Sequence, residues 1–540
     1  MPPKHKQPGD AGGKLPVAAG PRRIAVIDVG TTALRMDIAE VSAAGDLNVL
    51  DSLQQTTHLG HDTFSGGRIR RTTIEECVEV LKGYRQVMSE HGITHEDQIR
   101  AVGTSSILEA DNRDAFLDRI YVATRINVIP VEESEVNRLT YVALYGLMEK
   151  EPALKAGNVL IVEVGGGSTK LLLIQNGIVA HASTFRLGAI RMRETLEKYR
   201  TPKDRIRAVI DQDLQRTVEQ IQQSVPVNTV HSVVAVAGDV YLAMSRLVPG
   251  WQAAQVARIN TGSFAAVEKE AVVSPDDLVR KHRIPFHEAE TAGPALLEYI
   301  RIARAFKAKQ IIVSSLSLRQ GLLVDAAASN RWTDSFVGQV LHSAMSLGEK
   351  YSFDRNHATC VMDLCAALFR ELQPEHQLDA RYGVLLKVAA ILHEIGSFVS
   401  NRSHHKHSMY LIMNSDVFGI SRDDMLLVAL VARYHRRSLP RITHEGFAQL
   451  DREMRVVVSK LAAILRVADA LDRSHSQRIR DLVLTRESDQ FVITSGNAED
   501  VTLERLSLEE KSGMFEDLYG RRIILRATEA PEGKVEHAGG

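Results

Sequence analysis

The chain has 540 residues, 44% hydrophobic and 25% charged, with 66 Lys and Arg against 67 Asp and Glu, which points to about three or four folded globular domains and excludes a global basic field for nucleic acid. Three cysteines (Cys77, Cys360, Cys365) without a CxxC pair exclude a disulfide framework and a thiolate metal site. No apolar run approaches the ~20 residues of a membrane span, so the expectation is a cytoplasmic protein with no membrane and no specific nucleic-acid partner.

Residues 1–21, rich in Lys, Pro and Gly and without a signal-peptide core, read as a disordered tail. Order is expected from Arg22. A strand over 24–29 ends at Asp28 and is followed by Gly30, Thr31 and Thr32, with a return strand over 34–41. Thr72 is the expected cap of a helix whose Ile74, Cys77, Val78, Leu81, Tyr84 and Met88 follow helical spacing. A strand over 98–103 leads into Thr104, Ser105 and Ser106, and a helix follows over 112–125. A further strand over 126–131 exits into Glu132, Glu133 and Glu135, ahead of a helix over 136–150. Carboxylates at a strand end are a candidate source of a general base. They are also the residues that a helix dipole favours in its first turn.

Residues 159–172, VLIVEVGGGSTKLL, repeat the first pattern. An apolar strand stops at Glu163, and Gly165, Gly166, Gly167, Ser168, Thr169 and Lys170 follow before a second strand. Glycines let backbone N–H groups approach an anion closely, and an acid at the strand end is suited to a cation. Asp28 matches Glu163 and Gly30 matches Gly165, 135 residues apart (163 − 28), which is a domain length. Two related α/β halves are therefore expected, each offering one turn to a shared phosphate cleft. Arg186, Arg191 and Arg193 are read either as phosphate contacts or as a helix start. A polar-faced helix over 203–223 precedes a strand over 230–238 that ends in Ala237, Gly238 and Asp239, a third ligand-facing turn. Helix over 293–305 and strand over 310–315 complete this half.

Seven stretches, in order, resemble the exopolyphosphatase and guanosine pentaphosphate phosphohydrolase family of the actin, Hsp70 and sugar kinase superfamily. They are IDVGTTALRM (27–36), GTSSILEADNRDAF (103–116), SEVNRL (134–139), VEVGGGSTKL (162–171), RLGAIRM (186–192), AGDVYLA (237–243) and SSLSLRQGLL (314–323). The resemblance implies two duplicated actin-like (ribonuclease H-like) domains, 22–150 and 151–329. It implies hydrolysis of terminal phosphate from inorganic polyphosphate or of guanosine pentaphosphate, with Mg2+. Glu135 takes the place of the general base, and Asp28 and Glu163 manage the metal. Gly30, Thr31, Thr32, Arg113, Gly165, Gly166, Gly167, Ser168, Thr169, Lys170 and Gly238 would bind phosphate. Glu163 stands where the family has Asp, and Lys170 where its motif ends in Glu. Val136 and Asn137 follow Glu135 in place of an acid and Ala, and Gln320 replaces a Glu. These departures open an alternative: a degenerate sensor of polyphosphate or guanosine tetraphosphate.

Beyond residue 330 helical periodicity takes over, for example over 336–350 and 384–392. His357, His393, Glu394 and Asp469 interrupt apolar helices, and imidazole with carboxylate suits a divalent cation. This part resembles an HD phosphohydrolase domain (330–478), the appendage of the family's long form. The segments with His404, His405 and His407, and with His435, fit that form too. His435, beside Arg436 and Arg437, is read as a contact for an anionic chain or a second subunit. Hydrolysis within this domain is the third reading, and homodimerisation is the family-level expectation. Residues 479–528 read as a small α+β domain, and 529–540 as a tail.

Overall fold

β1 (Arg22–Val29) carries RRIAVIDV, and every residue from Ile24 onward is buried. A continuous apolar run of this kind suits a central strand covered on both faces. In the computed structural model β1 is the middle strand of five, in the order β3-β2-β1-β4-β5, with β2 (Ala33–Val41), β3 (Leu47–Thr56), β4 (Ile99–Gly103) and β5 (Val128–Pro130). The structure describes residues 21–527 apart from 44, 152–153, 155–156, 199–205, 226–229, 237, 239–240, 249–255, 272–273, 329–331, 437 and 496–499. Both tails, the start of the helix expected from Lys203, Ala237, Asp239 and Arg437 lie outside the described residues. The chain divides into two compact units, residues 1–331 and 332–540.

The second sheet of the first unit repeats the plan of the first. Its strands are β6 (Asn158–Val164), β7 (Thr169–Gln175), β8 (Ile178–Phe185), β9 (Ser232–Val236), β10 (Val256–Asn260) and β11 (Gln310–Ser314), in the order β10-β11-β9-β6-β7-β8. In each sheet an antiparallel meander of three strands is followed by a strand parallel to its first member. Registers correspond as well: Asp28 pairs with Arg35 across β1 and β2, and Glu163 with Lys170 across β6 and β7.

Helix Arg71–Glu90 buries Ile74, Cys77, Val78, Leu81, Tyr84 and Met88 against the first sheet. Arg70, not Thr72, holds its N-cap position, because the helix starts two residues earlier than a cap at Thr72 implies. The opposite face of that sheet is covered by helices Glu133–Lys150 and Leu318–Ala327, through Val136, Leu139, Leu318, Leu322 and Leu323. Helix Leu318–Ala327, which the sequence reading gives to the second half, thus packs on the first. Its three buried leucines are worth roughly 2 kcal/mol each, and Gly321 leaves room for the Leu139 carbonyl.

The second unit begins with helices Asp334–Lys350, Arg355–Glu371, Ala380–Leu392, His404–Met413, Arg422–Arg433 and Arg452–Leu471. Leu461–Leu471 is buried all round, so Asp469 enters the core with it. A three-stranded sheet follows, β12 (Val483–Arg486), β13 (Gln490–Ser495) and β14 (Arg522–Ala527), with helices Thr502–Lys511 and Gly513–Tyr519. Among the described residues no helix is long and apolar enough to cross a membrane.

Candidate functional site

The two acid–glycine turns of the first unit meet. Gly30 N–H donates to Ala33 O at 3.1 Å, and Gly165 N–H donates to Ser168 O at 2.9 Å, the same closure 135 residues on (165 − 30). A Cβ on Gly166 would lie 2.7 Å from Thr31 Cγ2, so this close approach requires glycine. Asp28, Gly30, Thr31, Glu163, Gly165, Gly166, Gly167, Ser168, Lys170 and Gly238 all line the resulting cleft, with Arg35, Thr104, Ser105, Glu133 and Val136 beside them.

Four expected residues point elsewhere. Glu135 is clamped by Arg138, whose Nε and Nη2 donate to its two oxygens at 2.8 and 2.9 Å. Arg138 Nη1 also donates to Asp325 Oδ1 at 2.7 Å. Glu135 lies two residues, about 200° of helix rotation, from Glu133. Glu133 therefore faces the cleft, and the position one turn on is Val136, which has no carboxylate. Thr169 is fully buried, and its hydroxyl donates to Leu187 O at 2.8 Å. Thr32 is buried with its carbonyl taken by Thr57 N–H at 2.9 Å, and Arg113 pairs with its neighbour Asp114 at 3.2 Å. Arg186 and Arg191 are held by Glu109, and Arg193 by Glu290, rather than facing a phosphate.

The cleft carboxylates are already engaged. Lys170 Nζ donates to Glu163 Oε1 at 3.1 Å, and Thr140 Oγ1 donates to Glu163 Oε2 at 2.8 Å. Arg35 lies 3.7 Å from Asp28. Burial opposes the charge on Lys170, but Glu163, Glu133 and Asp28 outweigh it and hold the ammonium above its ordinary range. Lys170 thus does in the second half what Arg35 does in the first. Glu133 differs, because its Oε2 is buried in the cleft without a hydrogen-bond partner.

The second unit holds a cluster of another kind. His357 stands in the first turn of its helix, after Asp354, whose carboxylate accepts the His357 N–H at 3.1 Å. Its Nδ1 lies 2.8 Å from Asp472 Oδ2. His393 follows helix Ala380–Leu392 and places Nδ1 2.7 Å from Ala390 O. Each acceptor fixes the N–H on Nδ1 and leaves the Nε2 lone pair for another partner. Both Nε2 atoms are buried without a hydrogen bond, 3.7 and 3.9 Å from Asp469 Oδ1. His357 Nε2 also lies 4.0 Å from Glu394 Oε2. Asp469 is oriented by Lys511 Nζ at 2.5 Å from its Oδ2. Burial resists the Asp469 charge, but Lys511, His393 and His435 hold its carboxyl far below the ordinary range. All four residues expected here are brought together.

His435 is not a surface contact: it is 1% exposed, and its ring lies 5.0 Å from that of His393. The basic neighbours Arg436 and Arg437 obscured this, although the apolar run of helix Arg422–Arg433 directly before it was the available signal. Asp472 and Lys511 were also missed. Asp472 lies three residues after Asp469, but Lys511 comes from a helix that the sequence alone does not bring near.

Residues 38–330 match the family model described as the Ppx/GppA phosphatase family, and residues 341–512 match that of Ppx/GppA phosphatase, domain III. A guanosine-5'-triphosphate,3'-diphosphate pyrophosphatase of Photobacterium profundum is 22% identical over 82% of this chain and 86% of its own length. Its counterpart in Aeromonas hydrophila is 22% identical over 87% and 92%. The crystal structure of the Aquifex aeolicus Ppx/GppA family member aligns at 21% identity over 58% of this chain and 100% of that one, with a TM-score of 0.47. With more than half of its length matched by one model and a second model matching domain III, the chain belongs to the Ppx/GppA phosphatase family.

Proposed function

We propose that the chain is a metal-dependent phosphohydrolase acting on guanosine pentaphosphate or inorganic polyphosphate, with its cation and its hydrolysis in the helical unit and the cleft of the first unit acting as a separate phosphate sensor. The observation that carries this is the pair of buried, unpartnered Nε2 atoms of His357 and His393 against Asp469, whereas the cleft carboxylates Glu163 and Asp28 already face the chain's own cations. The names of the relatives favour guanosine pentaphosphate. In this reading the two sheets of the first unit are duplicated actin-like domains, and the helical unit is HD-like.

The donor set fits a divalent cation: two imidazoles, Asp469 and the partly buried Glu394 at the rim. Imidazole nitrogens favour a first-row transition-metal ion such as Fe2+, for which Mn2+ serves as a probe, over the Mg2+ expected for an all-oxygen site. When bound, such a cation supplies Lewis acidity toward a phosphoryl oxygen and makes water a better nucleophile. The chain's own residues prepare the site. Asp472 and the Ala390 carbonyl hold the proton on Nδ1 of His357 and His393, which turns each Nε2 inward. Lys511 fixes Asp469 and balances its charge. In the first unit, the Gly165–Ser168 turn and Lys170 offer donors to phosphate oxygens.

A second reading keeps hydrolysis in the cleft, and Glu133 Oε2 favours it, because an unpartnered buried carboxylate oxygen is placed to take a proton from water. Phosphate release from guanosine pentaphosphate and from long-chain polyphosphate, measured with Mn2+ and with Mg2+, separates the two. Loss of release in His393→Ala with release kept in Glu133→Gln supports the helical centre. The reverse pattern moves the chemistry to the cleft. No release by the wild type with either substrate refutes hydrolysis.

A further inference from the structure

We infer that the cleft of the first unit selects a protonated phosphoryl group, held without a divalent cation, with Glu133 accepting its O–H; the inference rests on the reading of that cleft as a phosphate sensor. Two of the three carboxylates that line the cleft are already engaged. Asp28 lies 3.7 Å from Arg35, and Glu163 accepts from Lys170 Nζ at 3.1 Å and from Thr140 Oγ1 at 2.8 Å. A hard divalent cation needs free oxygen ligands. Between Asp28 and Glu163 it would have to displace the ammonium of Lys170 and lie against the guanidinium of Arg35, so this pair does not fit Mg2+.

The donors that remain suit an anion. Thr31, Gly166 and Gly167 line the cleft, and their N–H groups donate to no backbone carbonyl among the described residues. Backbone N–H groups at such turns form an anion nest. Lys170 keeps N–H donors beyond the one given to Glu163. The cavity measures about 60 Å³. At about 10–15 Å³ for each water-sized site it takes roughly four or five atoms, which is one tetrahedral phosphoryl group rather than a run of them.

Glu133 decides which anion enters. With Arg35 against Asp28 and Lys170 against Glu163, it is the one ionic group of the lining that no opposite charge matches. Its Oε2 is buried without a hydrogen-bond partner, and a carboxylate only accepts. A fully ionised anion would set oxygen against oxygen with no hydrogen between them and leave the acceptor unpaired. A phosphoryl group that carries one O–H donates it to Glu133, while its other oxygens take the N–H groups of the turns. Sulfate has the same shape but no proton to give at neutral pH. Orthophosphate and the end of a phosphate chain both present the required group.

The test is calorimetric titration of the full chain at neutral pH, in EDTA and again in Mg2+, with inorganic phosphate, sulfate and tripolyphosphate as probes. EDTA also strips the helical centre, so its cation adds nothing to the signal. Phosphate is expected to bind in EDTA, with sulfate at least about tenfold weaker. Glu133→Gln, whose amide donates as well as accepts, is expected to erase that preference by admitting sulfate, with its fold checked by circular dichroism. Tighter binding of tripolyphosphate than of phosphate assigns the chain end as the ligand, and the reverse order assigns the free ion. Equal affinity for phosphate and sulfate in the wild type, or a preference that survives Glu133→Gln, overturns the role of Glu133 and leaves the sensor reading intact. Binding seen only with Mg2+ overturns the cation-free site. No binding of phosphate or tripolyphosphate in either medium overturns the sensor reading and the inference together.

Discussion

Replacing Lys170 by Met removes the ammonium from a pair 3.1 Å long whose side chains are 10% and 17% exposed. Breaking a fully buried ion pair from one side costs about 3–5 kcal/mol. Here Glu163 keeps its 2.8 Å bond from Thr140 and some contact with water, so the cost falls below that range, to about 2–3 kcal/mol. The double variant Lys170→Met, Glu163→Gln leaves no unpaired charge and is expected to recover most of this. Because the pKa of Lys170 is raised on folding, its contribution is complete below the unfolded value of 10.5 and fades only as pH rises through the still higher folded value. The loss is therefore the same from pH 6 to pH 9. Hydrogen exchange isolates the first unit, which a global melt of a two-unit chain does not. At about 1.4 kcal/mol per tenfold, amides of β6 and β7 should exchange roughly 30- to 150-fold faster in Lys170→Met. An increase below about threefold, or a double variant no better than the single, refutes the claim that Lys170 is held there by Glu163.

Glu298, fully buried with both carboxyl oxygens lacking a hydrogen-bond partner, has its carboxyl raised by burial to about 8 against an ordinary 4.5. An acid whose pKa is raised on folding stabilises most at low pH, so stability should fall from pH 4.5 to 8, by roughly 5 kcal/mol at most. Glu298→Gln should flatten that slope in denaturant titrations run across the range, and an unchanged slope would contradict the assignment. Glu135→Gln takes one acid from the buried Arg138 and should cost about 1–2 kcal/mol of stability by urea titration. Phosphate release should be unaffected, because Glu135 does not line the cleft.

The paired turns were legible because each is local. A strand, an acid, a glycine and a short return set the register, and from that register Lys170 must face Glu163. What Lys170 does there was less legible: it stands to Glu163 as Arg35 stands to Asp28, a correspondence visible only once both hairpins are aligned. The choice of Glu135 over Glu133 followed motif position. In the structure two residues of helix rotation separate the pair, so that Glu133 lines the cleft while Glu135 sits in the Arg138 clamp. The packing of helix Leu318–Ala327 on the first sheet depends on contacts far apart in sequence, such as Arg22 Nη2 to Ala326 O with a separation of 304, which no local pattern carries. In the helical unit, histidines interrupting apolar runs marked His357 and His393, which the structure brings together with Asp469. The same rule extends to His435 once the helix before it, rather than the arginines after it, is taken as its context.

The most direct measurement is anomalous scattering from crystals of the full chain soaked in Mn2+. A peak among His357, His393 and Asp469 is the predicted result. Density only in the cleft between Asp28 and Glu163, with none at the helical cluster, would contradict it.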